Sequence, residues 1–188
     1  IREFIDELKG INKLCLIDVR SYPFSEHFSD FSINNLEPIL HENNIIYRNY
    51  KNEFGARQAN DKYYEKYGYL DFEDFIKSDV FRSGIEKIIK GKELGYNFVL
   101  MCAEKDPITC HRAIMIGRGL SLFGFQINHI IKDSNIQTQK DIENRLLNMY
   151  FPNRSQLSLF EQKTQDEYIV DSYRLQNEKI GYRKDKVA

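Results

Sequence analysis

Residues 96–112, YNFVLMCAEKDPITCHR, join an apolar run to a polar loop and then to a helical stretch. Tyr96–Cys102 is the most strand-like part of the chain, because it is short, mostly apolar and rich in aromatic and branched side chains. Asp106-Pro107 predicts the beginning of a helix that Cys110–Leu122 continues, with Asp106 or Thr109 as its N-cap. The amphipathic spacing of Phe81–Lys90 predicts another helix before the strand. This segment therefore predicts a helix–strand–helix unit, from which parallel sheets are built.

The same alternation of helices and strands recurs along the chain. It predicts an α/β fold: a single three-layer domain with a mostly parallel open sheet and helices on both faces. We expect this domain to cover residues 1–150 and a C-terminal extension to occupy residues 151–188, where the composition changes. Further strands are predicted at Leu14–Val19, Ile45–Tyr50 and Phe125–Ile131, and further helices at Ile1–Leu8, Asn34–His41, Gln137–Met149 and Asp166–Lys179.

Composition limits the classes of protein to which the chain can belong. A chain of 188 residues, 41% of them hydrophobic, is long enough to bury a core without disulfides or a structural metal. Three widely spaced cysteines argue against a secreted disulfide framework. No apolar run approaches the roughly 20 residues that cross a bilayer, and no signal peptide opens the chain. We expect a cytoplasmic protein of bacterial type with no membrane contact.

The charge balance argues against DNA binding by this chain alone. Lysine and arginine number 27 against 28 acidic residues, for a net charge of −1. Proteins that hold DNA by themselves usually carry a surplus of basic residues, because affinity depends on neutralised phosphates. A role on DNA therefore requires a partner that keeps the protein there.

Polar side chains follow two of the predicted strands, and ligands of parallel sheets bind at the carboxyl ends of strands. We expect Cys110, His111 and Arg112 in the first turn of a helix, where backbone N–H groups favour an anion. The pattern predicts binding of a phosphate- or nucleotide-like anion. The exit of Leu14–Val19 carries Asp18, Arg20, Ser21 and Ser25, and the exit of Tyr96–Cys102 carries Cys102, Glu104, Asp106, Cys110, His111 and Arg112.

The strings LIDVRSYPFS, FGAR, LMCAEKDPITCHR and NHI together resemble one family, the uncharacterised bacterial domain of unknown function 488. The resemblance runs from Ile1 to about Asn148 and implies the α/β fold, but no reaction. One departure is Phe54-Gly55-Ala56, where the family often has Leu-Gly-Gly. The resemblance implies that the family's signature positions are Asp18, Arg20, Pro23, Ser25, Cys102, Glu104, Pro107, Cys110, His111, Arg112 and His129.

Three interpretations of these residues stay open. In the first, Cys110 or Cys102 is a nucleophile with His111 or His129 as its base, in a catalytic set that includes Glu104 and Asp18. In the second, Cys102, Cys110 and His111, with or without His129, bind zinc, although cysteines eight positions apart are wider than the usual zinc knuckle. In the third, the cysteines are core residues and an Asp–Arg or Glu–Arg ion pair holds the loops together. No other cofactor is predicted. The predicted substrate-binding residues are Arg20, Ser21, Ser25, Arg112, Cys102 and His129.

A second signal lies at Gln156–Phe160, which reads QLSLF. It resembles the peptide with which bacterial DNA polymerases and repair proteins dock on the replication sliding clamp. In such a peptide, Leu159 and Phe160 fill an apolar pocket and Gln156 forms hydrogen bonds at its rim. Leu157 completes the predicted set of partner-binding residues. The alternative is that these side chains pack against the domain.

Together these patterns favour a protein of DNA metabolism or repair that binds a phosphate- or nucleotide-like anion at the strand ends. A sliding clamp would recruit it, because a clamp raises the effective concentration of a weak binder on DNA. The alternatives are a non-catalytic binding module and a hydrolase or transferase that acts on a small metabolite through a Cys/His site. The sequence does not decide whether the chain is an enzyme.

Overall fold

The computed structural model describes residues 1–66, 68–131, 135–154 and 163–184. Contacts within the chain divide it into two compact units, Ile1–Gln58 with Ser78–Ala103 and Ala59–Lys77 with Glu104–Ala188. In chain order the described helices and strands are α1 (Arg2–Leu8), β1 (Leu14–Asp18), α2 (Ile33–Glu42), β2 (Ile46–Asn49), α3 (Lys51–Phe54), α4 (Phe72–Phe75), α5 (Asp79–Glu93), β3 (Asn97–Met101), a π-helix (Arg112–Gly117), α6 (Arg118–Leu122), β4 (Asn128–Ile130), β5 (Ile136–Thr138), α7 (Gln139–Tyr150) and α8 (Gln165–Ile180).

A parallel sheet of three strands, in the order β2-β1-β3, organises the first unit. All five residues of β1 are buried, which explains why the run LCLID is continuously apolar up to Asp18. The register aligns Asp18 with Asn49 of β2 and Met101 of β3. The carboxyl ends of the three strands therefore lie at one edge of the sheet, as parallel pairing requires.

Helices flank this sheet, so the predicted α/β fold is confirmed. On α5, the Ser78 hydroxyl accepts the Phe81 N–H at 3.1 Å and caps the helix. The Phe81 ring packs edge-on against Phe54 of α3, with 5.0 Å between centroids. An apolar cluster joins α1, α2 and the strands through Ile5, Leu8, Leu14, Leu16, Leu36, Leu40, Ile45, Tyr47 and Met101.

The second unit is built around α7 and α8, and both helices begin with a capping box. At the start of α7, the side chains of Thr138 and Asp141 each accept a hydrogen bond from the other residue's backbone N–H. Thr164 and Glu167 form the same pair of hydrogen bonds at the start of α8. α8 confirms the helix predicted within the C-terminal extension. The extension itself stays a prediction, and Gln156–Phe160 lies outside the described residues.

The last predicted strand differs from the expectation in length and pairing. β4 covers three residues of the predicted Phe125–Ile131 and pairs antiparallel with β5, a strand that the sequence pattern does not predict. Strands this short carry too few residues for a periodic apolar pattern. Among the helices of the described ranges, none combines the length and apolar character that crossing a bilayer requires.

Candidate functional site

Residues 102–111 gather four side chains of the types that bind metals. The potential donor atoms of Cys102, Glu104, Cys110 and His111 lie within 4.8 Å of one another. Cys110 and His111 are buried, Cys102 is half-buried and Glu104 is exposed. Of the residues that the structure describes, no other group of three or more His, Cys, Asp or Glu side chains lies this close together. The group can hold a metal ion.

Asp106 determines the course of this loop. Its carboxylate accepts the Ile108 N–H at 3.2 Å and caps the 3₁₀ turn Pro107–Thr109; of the two predicted caps, Asp106 therefore caps this separate turn and not the helix that follows. The same carboxylate accepts two hydrogen bonds from Arg145 of α7, at 2.8 and 2.9 Å. The Arg145 guanidinium and the Ile108 N–H lower the pKa of Asp106, although partial burial opposes them. The loop is thereby fixed to α7.

Cys110 lies before the helix and not in its first turn, which corrects the prediction. Its backbone is extended (φ −118°, ψ 132°), because the 3₁₀ turn ends at Thr109 and the π-helix begins only at Arg112. The Cys110 Sγ accepts the Arg112 N–H at 3.3 Å, and its thiol donates to Glu104 Oε2 at 3.2 Å. The Cys110 side chain is fully buried. A nucleophile must be reached by its substrate, so this burial favours a ligand over a nucleophile.

A π-helix follows the loop directly, and a side chain of α7 holds it. Gln139 Nε2 donates to the Ala113 carbonyl at 3.0 Å, inside the widened turn. A Cβ atom at Gly117 would collide with Gln139 Oε1, so this position requires glycine while Gln139 keeps its place. π-Helical turns occur frequently at functional sites. Gln139 therefore connects the shape of this helix to the candidate site.

His129 is buried and bound to the same glutamine. Its Nε2 lies 2.8 Å from Gln139 Oε1, while Gln139 Nε2 donates to Ala113 and, at 2.7 Å, to the Tyr173 hydroxyl. Because the amide oxygen can only accept, His129 carries its proton on Nε2. Burial lowers the pKa of His129; the hydrogen bond to Gln139 opposes this, and the charge of Arg112 adds to it. Among the described residues, His129 is not part of the donor group.

In the first unit, Asp18 and Arg20 form a buried ion pair at the end of β1. Arg20 Nε and Nη2 donate to the two carboxylate oxygens at 2.9 and 2.6 Å, and the Tyr47 hydroxyl donates to the same carboxylate at 2.8 Å. Burial alone would lower the pKa of Arg20, but the hydrogen bonds and charge of Asp18 raise it. The charge of Arg20 is thus balanced within the protein, as the ion-pair interpretation expects. Its role in binding an anion stays a prediction.

The two serines that follow β1 form hydrogen bonds that shape their own loops. Ser21 Oγ accepts the Arg57 N–H at 2.9 Å, and Ser25 Oγ accepts the Phe28 N–H at 3.1 Å. A Cβ atom at Gly55 would lie 2.8 Å from Ser21 Oγ and would also collide with the α3 backbone, so Gly55 allows this close approach. The predicted binding roles of Ser21 and Ser25 remain untested.

Sequence reasoning missed Tyr47 and Gln139. Tyr47 lies in β2 and reaches Asp18 of β1 only because β1 and β2 are adjacent and parallel. Gln139 is the first residue of α7 and contacts residues 10 to 34 positions away. Neither contact leaves a local pattern in the sequence. The contact between Asp18 and Arg20 is the one with a local signal, because the two residues are only two positions apart at the end of β1.

Comparison with known proteins adds the family. A family model described as domain of unknown function DUF488 matches residues 1–118, which include the parallel sheet and the whole donor group. No curated protein and no solved structure matches the chain. The resemblance that the sequence suggests from residue 119 to about Asn148 remains an expectation. On the match over residues 1–118, this chain belongs to the DUF488 family of domains of unknown function.

Proposed function

We propose that residues 102–111 bind a divalent transition metal, with zinc as the ion of best fit. The observation that carries this proposal is the clustering of four donor side chains within 4.8 Å. Two thiols, an imidazole and a carboxylate are the donors that zinc takes in proteins. We place Glu104, Cys110 and His111 at the centre of the site, and Cys102 as the donor that precedes Glu104 by two residues.

The distances in the loop suit zinc. Zn–S bonds of about 2.3 Å and Zn–O bonds of about 2.1 Å in a tetrahedron separate a sulfur and an oxygen donor by about 3.6 Å. Cys110 Sγ and Glu104 Oε2 are 3.2 Å apart. The eight-residue spacing of the cysteines, too wide for a knuckle, is compatible with a site because the 3₁₀ turn Pro107–Thr109 shortens the loop.

Metal analysis of the full chain tests this proposal. The protein is purified under reducing conditions, loaded with Zn²⁺, dialysed against metal-free buffer and analysed by mass spectrometry. We expect about one zinc per chain, and much less in Cys110→Ser and in His111→Gln, because each loses a donor. Exposed Glu104→Gln serves as a third variant that will not disturb the core.

Two matched variants serve as controls. Cys15→Val and His41→Gln remove a cysteine and a histidine that are not in the donor group, so both should keep the metal. Circular dichroism confirms that each variant is folded. A wild-type protein that retains no metal, or folded Cys110→Ser and His111→Gln proteins that retain it fully, would contradict the proposal.

The sequence supports a second candidate function, a role in DNA metabolism or repair with recruitment by a sliding clamp. The supporting observations are the string QLSLF at Gln156–Phe160 and a net charge of −1, which disfavours DNA binding without a partner. A clamp would hold the protein near DNA, where the loop after β3 would bind a phosphate- or nucleotide-like anion.

Binding to a purified bacterial sliding clamp tests this second function. We expect Leu159→Ala with Phe160→Ala to weaken binding about 30-fold or more, because such anchors carry most of the energy of a docked peptide. Leu122→Ala with Phe123→Ala is the matched control, since this Leu-Phe pair is exposed elsewhere and should bind as wild type does. Equal binding by the wild type and the Leu159/Phe160 variant would reject the clamp.

A further inference from the structure

We propose that the external ligand of this metal site is a phosphate-class oxyanion, and that Arg112 is its second anchor. The inference rests on the proposed metal site and names the class of molecule that it binds. Arg112 immediately follows His111, and its N–H donates to Cys110 Sγ at 3.3 Å. Its backbone is therefore part of the loop that positions the donors.

The side chain of Arg112 differs from those of neighbouring arginines in having no acidic partner. Arg112 is half-buried, and within the described ranges no carboxylate lies within 4.0 Å of its guanidinium. Arg118 lies 3.5 Å from Glu73 and 3.6 Å from Glu143, and Arg145 is paired with Asp106 at 2.8 Å. A half-buried cation without an internal partner is suited to an external anion.

The charges near Arg112 also favour an anion. Burial and, to a smaller extent, the charge of Arg112 lower the pKa of His129, which favours the neutral imidazole. Asp106 is already neutralised by Arg145. A divalent ion held by Glu104, Cys110 and a neutral His111, with Cys102 unbound, leaves one positive charge together with Arg112 and keeps the fourth tetrahedral position open for the anion.

The burial of the donors indicates where the ligand enters. Cys110 and His111 are buried and would bind the inner side of the metal, whereas Glu104 is exposed. An external ligand therefore approaches from the side of Glu104. A phosphate group fits better than a carboxylate, because it can place one oxygen on the metal and two others on the guanidinium fork.

Cobalt substitution provides the test, since tetrahedral Co²⁺ with thiolate ligands absorbs visible light. The full chain is loaded with Co²⁺ and titrated with inorganic phosphate. We expect a saturable change in the cobalt bands, with affinity about tenfold or more weaker in Arg112→Gln and intermediate in Arg112→Lys, which keeps the charge but loses the fork. The exposed Lys105→Gln, a loss of the same charge in the same loop, should bind within about twofold of wild type.

The outcomes separate the two proposals. Failure of the chain to bind Co²⁺ rejects the metal site itself. If the cobalt spectrum does not change with phosphate, or changes equally in Arg112→Gln, the phosphate proposal is rejected and the metal-site proposal is retained.

Two further probes identify the source of the phosphate. The titration is repeated with a nucleoside 5′-monophosphate and with a 5′-phosphorylated oligodeoxynucleotide, each against its unphosphorylated form. Preference for the phosphorylated form of either probe supports the inference, and the tighter probe distinguishes a free nucleotide from a nucleic-acid end. No preference for either phosphorylated form overturns it.

Discussion

Asp18→Asn is expected to destabilise the protein by about 3–5 kcal/mol, because it leaves the buried guanidinium of Arg20 without its counter-charge. Asp18 is fully buried and accepts hydrogen bonds from Arg20 and from Tyr47. Breaking a buried pair by removing one partner costs far more than the net value of the intact pair. Urea unfolding of the wild type and the variant, followed by circular dichroism, measures the difference.

A double-mutant cycle distinguishes the ion pair from general loss of packing. Asp18→Asn combined with Arg20→Gln should cost less than the sum of the two single changes by about 1.5 kcal/mol or more, since neither charge is then left alone. Tyr47→Phe removes one hydrogen bond to the same carboxylate and should cost only about 1 kcal/mol. An Asp18→Asn protein as stable as the Tyr47→Phe protein would show that the pair contributes little.

The parallel sheet could be predicted from sequence because its strands are buried on both faces. β1 has no exposed residue, so its apolar run is continuous and short, which is typical of a parallel strand. β4 and β5 are three residues long and pair through contacts that no local pattern indicates. Prediction thus succeeded where burial determines the residue types, and failed where the strands are too short to show a pattern, although β4 and β5 are close together in sequence.

The candidate site also has features that could be predicted from the sequence and features that could not. The cap at Asp106 was predictable, since an Asp-Pro pair before a turn is a local signal. The position of Cys110 was not, because the chain forms a separate 3₁₀ turn before the π-helix begins. Arg20 could be recognised as important from sequence, but its bonds to Asp18 favour a structural role.

The two arginines show how similar residues at the exits of two strands acquire different properties. Arg20 lies two positions after Asp18, the last residue of β1, and its charge is balanced inside the first unit. Arg112 opens a helix whose hydrogen bonds involve Cys110 and Gln139, and no described acid neutralises it. A site that binds an ion needs a charged side chain that the fold holds in place but does not neutralise with a counter-charge of its own.

Gln139 holds the helix of Arg112 in place, and replacing it is expected to destabilise the protein strongly. Gln139→Ala leaves the Tyr173 hydroxyl and the His129 Nε2–H, both buried, without this partner, and removes one of two hydrogen bonds to the Ala113 carbonyl, which still accepts the Arg118 N–H. Each unsatisfied buried group costs about 1–3 kcal/mol, so the loss in unfolding free energy should be at least about 2 kcal/mol.

Two further glutamine variants separate the hydrogen bonds from the volume of the side chain. Gln139→Leu fills most of the space but forms no hydrogen bond with His129 or Tyr173, so it should be nearly as unstable as Gln139→Ala. Gln137→Ala, at a half-buried position whose amide oxygen accepts from Arg145 at 2.9 Å, should cost about 1 kcal/mol or less. Urea unfolding measures all three variants against the wild type. A Gln139→Leu protein as stable as Gln137→Ala would mean that packing, and not the hydrogen-bond network, holds the π-helix beside the donor group.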